Sequence, residues 1–229
     1  MKFPPLQPGV LLQRKNRFSA LVQLEGGEKI AAYVPTTGRL TGALQPGYRV
    51  WLENSHNPKR KLAYTVLLSE LLGGGLCSIN AMMANALFIE AVQKKRLHAF
   101  PYEQIEKEVV YGHSRLDFRL SSSKGVCWVE VKSVTYVENG IGMFPDAPTD
   151  RGKRHLEVLA ELAKGGQRAA AVFIAQRADA LYFAPYEAVD PEFSKTLRQV
   201  HQQGVEIVAY RCKLSLEEIS ISNAIPVVI

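Results

Sequence analysis

Two segments constrain the chain more than any other feature: Arg115-Leu116-Asp117-Phe118-Arg119-Leu120 and Trp128-Val129-Glu130-Val131-Lys132-Ser133. Each alternates polar and apolar residues with period two, as expected of a strand with one face against a core. Asp117 shares its face with Arg115 and Arg119, while Leu116, Phe118 and Leu120 point the other way; Glu130 and Lys132 likewise oppose Val129 and Val131. The link Ser121-Ser122-Ser123-Lys124-Gly125 is short, polar and ends in glycine, which predicts an antiparallel hairpin. A turn centred between Ser123 and Lys124 sets Asp117 opposite Glu130, Arg115 opposite Lys132 and Arg119 opposite Trp128. A slip of one residue would turn an apolar set into water, which disfavours other registers. Opposed residues have Cβ atoms roughly 4.5–5.5 Å apart. Two carboxylates at that separation repel unless a cation lies between them, and a divalent metal is the natural compensation. Strands also carry polar faces merely because those faces are solvated, so the Glu-x-Lys element gains meaning only with Asp117 in register.

Charge separates the two ends of the chain. The net charge is +6, and residues 1–80 carry ten basic side chains against four acidic ones, whereas the remainder is balanced. This asymmetry fits a nucleic-acid-binding part joined to a part with another task. The candidate phosphate contacts are Arg14, Lys15, Arg17, Arg39, Lys59, Arg60 and Lys61. Tyr33, Trp51 and Tyr64 are candidates for stacking on bases, although barrel aromatics commonly fill the core. The start Met1-Lys2-Phe3-Pro4-Pro5 and the lack of an apolar run of about 18 residues predict a cytoplasmic protein with no membrane partner. Cys77, Cys127 and Cys212 are odd in number and far apart, so they read as buried thiols, not as disulfides or zinc ligands.

The first part reads as short strands divided by turns. Phe18, Ala20, Val22 and Leu24 alternate inward, Glu25-Gly26-Gly27-Glu28 turns the chain, and Ile30, Ala32 and Val34 continue. Strands at Tyr48–Leu52 and Tyr64–Leu68 flank a basic loop, a pattern suited to an OB-like barrel and also to an SH3-like one. Leu71-Leu72-Gly73-Gly74-Gly75 marks the boundary, with Leu76 to Ile79 as a strand entering the second unit. A helix is expected over 82–97, capped by Ser78 or Asn80, apolar almost all round, and holding Glu90 in an apolar setting. Strands at 105–111 and 169–175, helices at 151–163 and 194–203, and a strand at 205–210 complete a mixed α/β sandwich.

Asp, a short hairpin and Glu-x-Lys, with a glutamate-bearing helix before and a helix and strand after, resembles the PD-(D/E)xK nuclease superfamily, with Leu116 in place of the usual proline. More of the chain resembles the sugar fermentation stimulation protein A family. The resemblance runs through Val34-Pro35-Thr36-Thr37-Gly38, Asn57-Pro58-Lys59-Arg60-Lys61, Ala84-Asn85, Tyr111-Gly112, Ser114-Arg115-Leu116-Asp117-Phe118, Val129-Glu130-Val131-Lys132-Ser133-Val134-Thr135 and Phe144-Pro145-Asp146-Ala147-Pro148-Thr149-Asp150-Arg151-Gly152. Thr36 stands where the family pattern has asparagine. The resemblance implies a two-domain α+β, α/β protein: an OB-like β-barrel over 1–75 followed by a nuclease-like mixed-sheet α/β domain over 76–229. It also implies DNA as the associated ligand, and the nuclease positions map onto Glu90, Asp117, Glu130 and Lys132.

The chemistry expected is metal-dependent phosphodiester hydrolysis. Mg2+ or Mn2+ would take oxygens from Asp117, Glu130 and the Val131 main chain, with Glu90 holding a second metal or a water. Lys132 would orient the attacking water or stabilise developing charge. Asp146, Asp150, Arg151 and His155 are lesser candidates that border the groove, and His113 follows a turn glycine with no partner pattern. The expected partner is nucleic acid, DNA ahead of RNA; a homodimer stays open. The alternative is a DNA-binding regulator of sugar metabolism genes without catalysis.

Overall fold

A computed structural model describes residues 1–229 except Thr37 and Lys124, so the Lys124 half of the hairpin turn lies outside the described residues. The first unit contains β1 (Leu6–Asn16), β2 (Ser19–Leu24), β3 (Lys29–Tyr33), β4 (Arg49–Asn54), β5 (Tyr64–Glu70) and β6 (Leu76–Ser78). Strand order is β3-β2-β1-β4-β5-β6, and a parallel β3–β5 pairing closes β1 to β5 into an OB barrel. Leu11, Ala20, Val22, Ala32, Val50, Leu52 and Val66 fill it. Gly9 permits the tight β1–β2 crossing, since a Cβ there would lie 2.8 Å from Val22 Cγ1. The segment expected to enter the second unit instead completes the barrel sheet: β6 pairs with β5, and Cys77 and Ile79 pack in the barrel core. It still touches the second unit, through a Cys77–Arg177 bridge and the Ser78 N–H donated to the Gln176 carbonyl at 3.0 Å.

The second unit is built on a mixed sheet ordered β15-β14-β12-β9-β8-β7. Its strands are β7 (Gln104–Tyr111), β8 (Ser114–Ser122), β9 (Gly125–Val134), β12 (Arg168–Ala175), β14 (Glu206–Leu214) and β15 (Ile219–Ile225). The strands β9, β12 and β14 run parallel at its centre. A small sheet, β10 (Tyr136–Glu138), β11 (Ile141–Phe144) and β13 (Tyr182–Pro185), lies alongside.

One face of the main sheet packs on α1 (Met83–Gln93), through Leu87, Phe88 and Val92 against Phe118, Val129 and Val131. The other packs on α2 (Asp150–Lys164) and α3 (Pro191–Gln202), through Leu156, Leu159 and Leu197 against Trp128, Ala171 and Phe173. Burial on both faces explains why β12 is an unbroken apolar run.

Helix ends follow local chemistry. The first helix stops four residues short of the expected Leu97, because Lys95 takes a left-handed φ of 55°. At its start Met82 is the N-cap and no side chain caps the helix, contrary to the expected Ser78 or Asn80; the Asn80 side chain accepts the Met82 N–H at 3.0 Å in the turn before it. The second is capped by Thr149, which accepts the Gly152 N–H at 3.0 Å. The third begins earlier than expected, at Pro191, because Asp190 accepts the Phe193 N–H at 2.9 Å.

Candidate functional site

The hairpin register is the one the alternation demands: Phe118 faces Val129, Arg119 faces Trp128 and Leu120 faces Cys127. Pairing of β8 with β9 then stops at Phe118. On the other flank, the pairing with β7 skips Glu108, whose φ is 52°. Asp117 is thus released from both neighbours. The expected common facing of Leu116, Phe118 and Leu120 fails at this point. Phe118 and Leu120 pack on the α1 side, while Leu116 joins Trp128 on the α2 side, because the strand turns over at Asp117.

The gap left by the broken ladder is where the acidic groups meet. The Val131 N–H, with no strand partner there, donates to Asp117 Oδ2 at 2.8 Å, and the Asp117 N–H donates to Glu130 Oε2 at 3.3 Å. A strand residue turns its N–H and its carbonyl to the same side, so the Val131 carbonyl faces this gap as well. Asn85, on the first turn of α1, donates to Asp117 Oδ1 at 3.0 Å.

Glu130 is 2% exposed. Its Oε1 takes Lys132 Nζ at 2.5 Å and His155 Nδ1 at 2.5 Å. Arg151 Nε donates to His155 Nε2 at 3.4 Å, which leaves the His155 proton on Nδ1, directed at Glu130.

The two carboxyls are pushed apart in acidity. Burial, then the charge of Glu130, raises Asp117 above the ordinary aspartate range. Burial also pushes Glu130 upward, but Lys132 and His155 overcome it and hold the group at about 2. Glu130 Oε1 is taken by Lys132 and His155, whereas Glu130 Oε2 and the two Asp117 oxygens each accept one of the bonds named and have a second lone pair for a cation. The donor set is therefore two hard carboxylates and a carbonyl, which suits Mg2+ or Mn2+. Among the described residues no three His, Cys, Asp or Glu side chains are grouped so as to hold a metal ion.

Glu90 is not brought to this point. It accepts Lys94 Nζ at 2.7 Å and the Met1 amine at 3.2 Å. Its setting is not apolar: the Lys94 bond, ahead of burial, holds its carboxyl below the usual range.

Asp117, Glu130, Lys132 and Asn85 line a cleft of about 830 Å3 between the two units. Arg14, Arg17 and Arg39 approach from the barrel, and Asp146, Thr149 and Arg151 from the second unit. Arg14 is largely committed to structure: its guanidinium donates to the Arg39, Arg17 and Gly38 carbonyls at 2.5, 2.9 and 2.9 Å. Asp146 clamps the same barrel loop by accepting the Leu40 N–H at 2.8 Å.

Lys15 and Lys59 are exposed and lie outside the cleft lining; Arg60 and Lys61 line a separate depression on the barrel. Trp51 is buried against Leu67 and Leu68, and Tyr64 packs against the barrel core, so neither offers a free ring face; Tyr33 is half-buried. Asp150 pairs with Lys153 at 3.0 Å, and His113 lies exposed in the β7–β8 turn.

Sequence reasoning assigned no role to Asn85 and ranked His155 low. Arg151 and His155 stand four apart on one helix, a spacing that puts them on one face and that could have linked them.

A family model described as the SfsA N-terminal OB domain matches residues 12–79, and one described as the sugar fermentation stimulation protein RE domain matches residues 82–218. The chain belongs to the SfsA family. The sugar fermentation stimulation protein homolog of Shewanella sp. (strain MR-4) is 43% identical over 228 residues, 98% of this chain and 97% of that protein. That of Shewanella baltica (strain OS185) is 42% identical over 225 residues, 96% of each. A solved structure of Pyrococcus furiosus SfsA in complex with Ca2+ superposes with a TM-score of 0.91 at 33% identity, over 100% of this chain and 98% of that one. Among the described residues no helix is long and apolar enough to cross a membrane.

Proposed function

We propose that the protein is a divalent-metal-dependent nuclease that binds DNA in the cleft between its two units, with the barrel, β6 included, serving affinity and the second unit serving hydrolysis. The observation that carries this reading is the meeting of Asp117 and Glu130 at the break in the β8–β9 ladder, with Lys132 beside them. The arginines along the cleft suit a phosphate backbone. The Ca2+ complex of the Pyrococcus furiosus relative supports a hard divalent cation, which we take to be Mg2+ or Mn2+ in this chain.

Asp117, Glu130 and the Val131 carbonyl would hold the metal. When bound, it would activate water and neutralise charge on the phosphate. Asn85 and the Val131 N–H fix the Asp117 carboxylate, and His155 with Lys132 fixes Glu130 in its ionised form. Lys132 is placed to orient the attacking water or to meet charge developing on the phosphate oxygens. Arg17, Arg39 and Arg151 would hold the backbone on either side of the scissile bond. Glu90 is assigned to the ion pair that ties α1 to the N-terminus, not to metal.

One observation favours a second reading, a DNA-binding protein without cleavage: among the described residues no third His, Cys, Asp or Glu is grouped with the pair so as to hold a metal ion, and the His155 imidazole that reaches Glu130 is bonded to its carboxylate. The test is a cleavage screen of labelled single- and double-stranded DNA and RNA with Mg2+ or Mn2+, comparing the protein with Asp117→Ala and Lys132→Ala. Metal-dependent cutting lost in both variants supports hydrolysis. Binding without cutting by all three folded proteins supports the second reading.

A further inference from the structure

Phe18 breaks the inward alternation expected of it. It occupies the tip of the β1–β2 hairpin and is 47% exposed, whereas Ala20 and Val22 enter the core. Tyr33, at the end of β3, lines the same shallow depression of about 530 Å3, with Ala31, Leu62, Arg60 and Lys61. The Arg60 guanidinium lies 6.0 Å from the Tyr33 ring centroid and is anchored by donating to Thr65 Oγ1 at 2.9 Å. None of the described residues lining the depression is acidic, and Asn16 lines both it and the cleft, so the two adjoin. Arg17 and Lys59, both exposed, stand next to Phe18 and Arg60 in the chain.

We infer that this depression takes an unpaired base from a DNA strand whose remaining length lies in the cleft. Phe18 and Tyr33 stack on the base, and Arg60 and Lys61 meet the phosphates beside it. A base inside a duplex has both faces covered by its neighbours, so a ring protruding from a hairpin tip can stack only where the strand is unpaired. The apolar floor alone would suit many ligands; its wholly basic charged lining and its place beside the arginine-lined cleft select a polyanion bearing flat rings. The preferred DNA is therefore one with a single-stranded segment next to a duplex. This rests on the DNA reading above and adds the form of the substrate.

The test uses the full chain without added metal and three labelled probes: a blunt duplex, the same duplex with a single-stranded DNA tail, and the same duplex with an RNA tail. The DNA tail is expected to strengthen binding. Phe18→Ala and Tyr33→Ala should each weaken tailed binding about tenfold while sparing the blunt duplex. Phe18→Trp should restore it. A 2-aminopurine in the tail should be quenched by the protein and stay bright with Phe18→Ala. The Phe18 change is benign for folding, because its carbonyl, which accepts the Val34 N–H at 2.9 Å, is retained.

Equal binding of blunt and tailed DNA, or Phe18→Ala silent in both readouts, would overturn the inference. An RNA tail bound more tightly than the DNA tail would overturn its assignment to DNA. Cleavage measured in parallel with Mn2+ separates the two readings. Tail preference without any cutting leaves this inference standing and removes hydrolysis; Asp117-dependent cutting with no tail preference does the reverse.

Discussion

Replacing Lys132 by Met tests how the site keeps a buried carboxylate charged. Glu130 is 2% exposed and is held at about 2 against an ordinary 4.5, which corresponds to about 3 kcal/mol of folding stability. Lys132 leads the causes that oppose burial and His155 follows, so Lys132→Met should cost about 2 kcal/mol at neutral pH in metal-free buffer. The sign with pH follows from the direction of the shift. A carboxyl that titrates lower in the folded than in the unfolded chain stabilises fully above about 4.5, and that contribution is lost as pH falls toward about 2. The unfolded chain is common to both proteins, so the gap between the parent and Lys132→Met should be widest near neutrality and close only as pH falls toward about 2, where the parent's Glu130 also takes up its proton. Urea unfolding followed by far-ultraviolet circular dichroism measures it. The companion Glu130→Gln removes the charge that Lys132 serves, so the double variant should lose less than the sum of the singles, by about 1–2 kcal/mol. A Lys132→Met protein as stable as its parent at neutral pH would show that Lys132 is not what keeps Glu130 ionised.

Other consequences follow from particular contacts. Titration calorimetry with Mn2+ should find about 10–100-fold weaker binding in His155→Ala, since that imidazole orients Glu130. Burial pushes the thiols of Cys77, Cys127 and Cys212 up to about 12, so mass spectrometry should detect almost no alkylation by iodoacetamide at neutral pH until urea unfolds the chain. A Cβ at position 38 would lie 2.7 and 2.8 Å from the Asp146 carboxylate oxygens, so Gly38→Ala should cost about 1–3 kcal/mol by thermal unfolding, much of it recovered in Gly38→Ala/Asp146→Ala. Arg17→Ala with Arg39→Ala should lower the slope of log affinity for DNA against log salt by about two.

The α/β half was legible because burial on both faces leaves strong marks, as in the apolar run of β12 and the register of β8 on β9. The barrel was legible only in part. Its longest strand, β1, carries Pro8 and Gly9, residues that ordinarily weaken a strand. Gly9 is there for the close approach of β2, a tertiary reason that no local pattern reveals. Phe18 obeyed the alternation on paper but falls just before β2, where the hairpin turns and period two no longer decides which way a side chain points. At the site, Asp117, Glu130 and Lys132 were readable from period and register. His155 and Asn85 were not, because they arrive from helices on opposite faces of the sheet, and only folding sets them beside the pair. Glu90 looked buried because its helix is apolar; the cations that neutralise it are Lys94, one turn on, and the chain's own first residue, the latter distant in sequence.

The count of cations near the N-terminus overstates the charge free to meet the polyanion proposed above, and the difference shows how the cleft is held. Arg14 gives three donors to the carbonyls of Arg17, Gly38 and Arg39, so its charge fixes the loop that carries Arg39. From the other unit, Asp146 fixes that loop through a backbone N–H. Both are short-range hydrogen bonds to neutral backbone groups, which salt screens far less than it screens the attraction between exposed arginines and phosphates. Raising salt should therefore weaken DNA binding steeply while leaving the distance between the barrel arginines and the Asp117–Glu130 pair unchanged. Under the proposed function Arg17 and Arg39 meet phosphates from one unit while Asp117 and Glu130 act from the other, which requires this separation: the forces that capture the strand must not also be the forces that aim it.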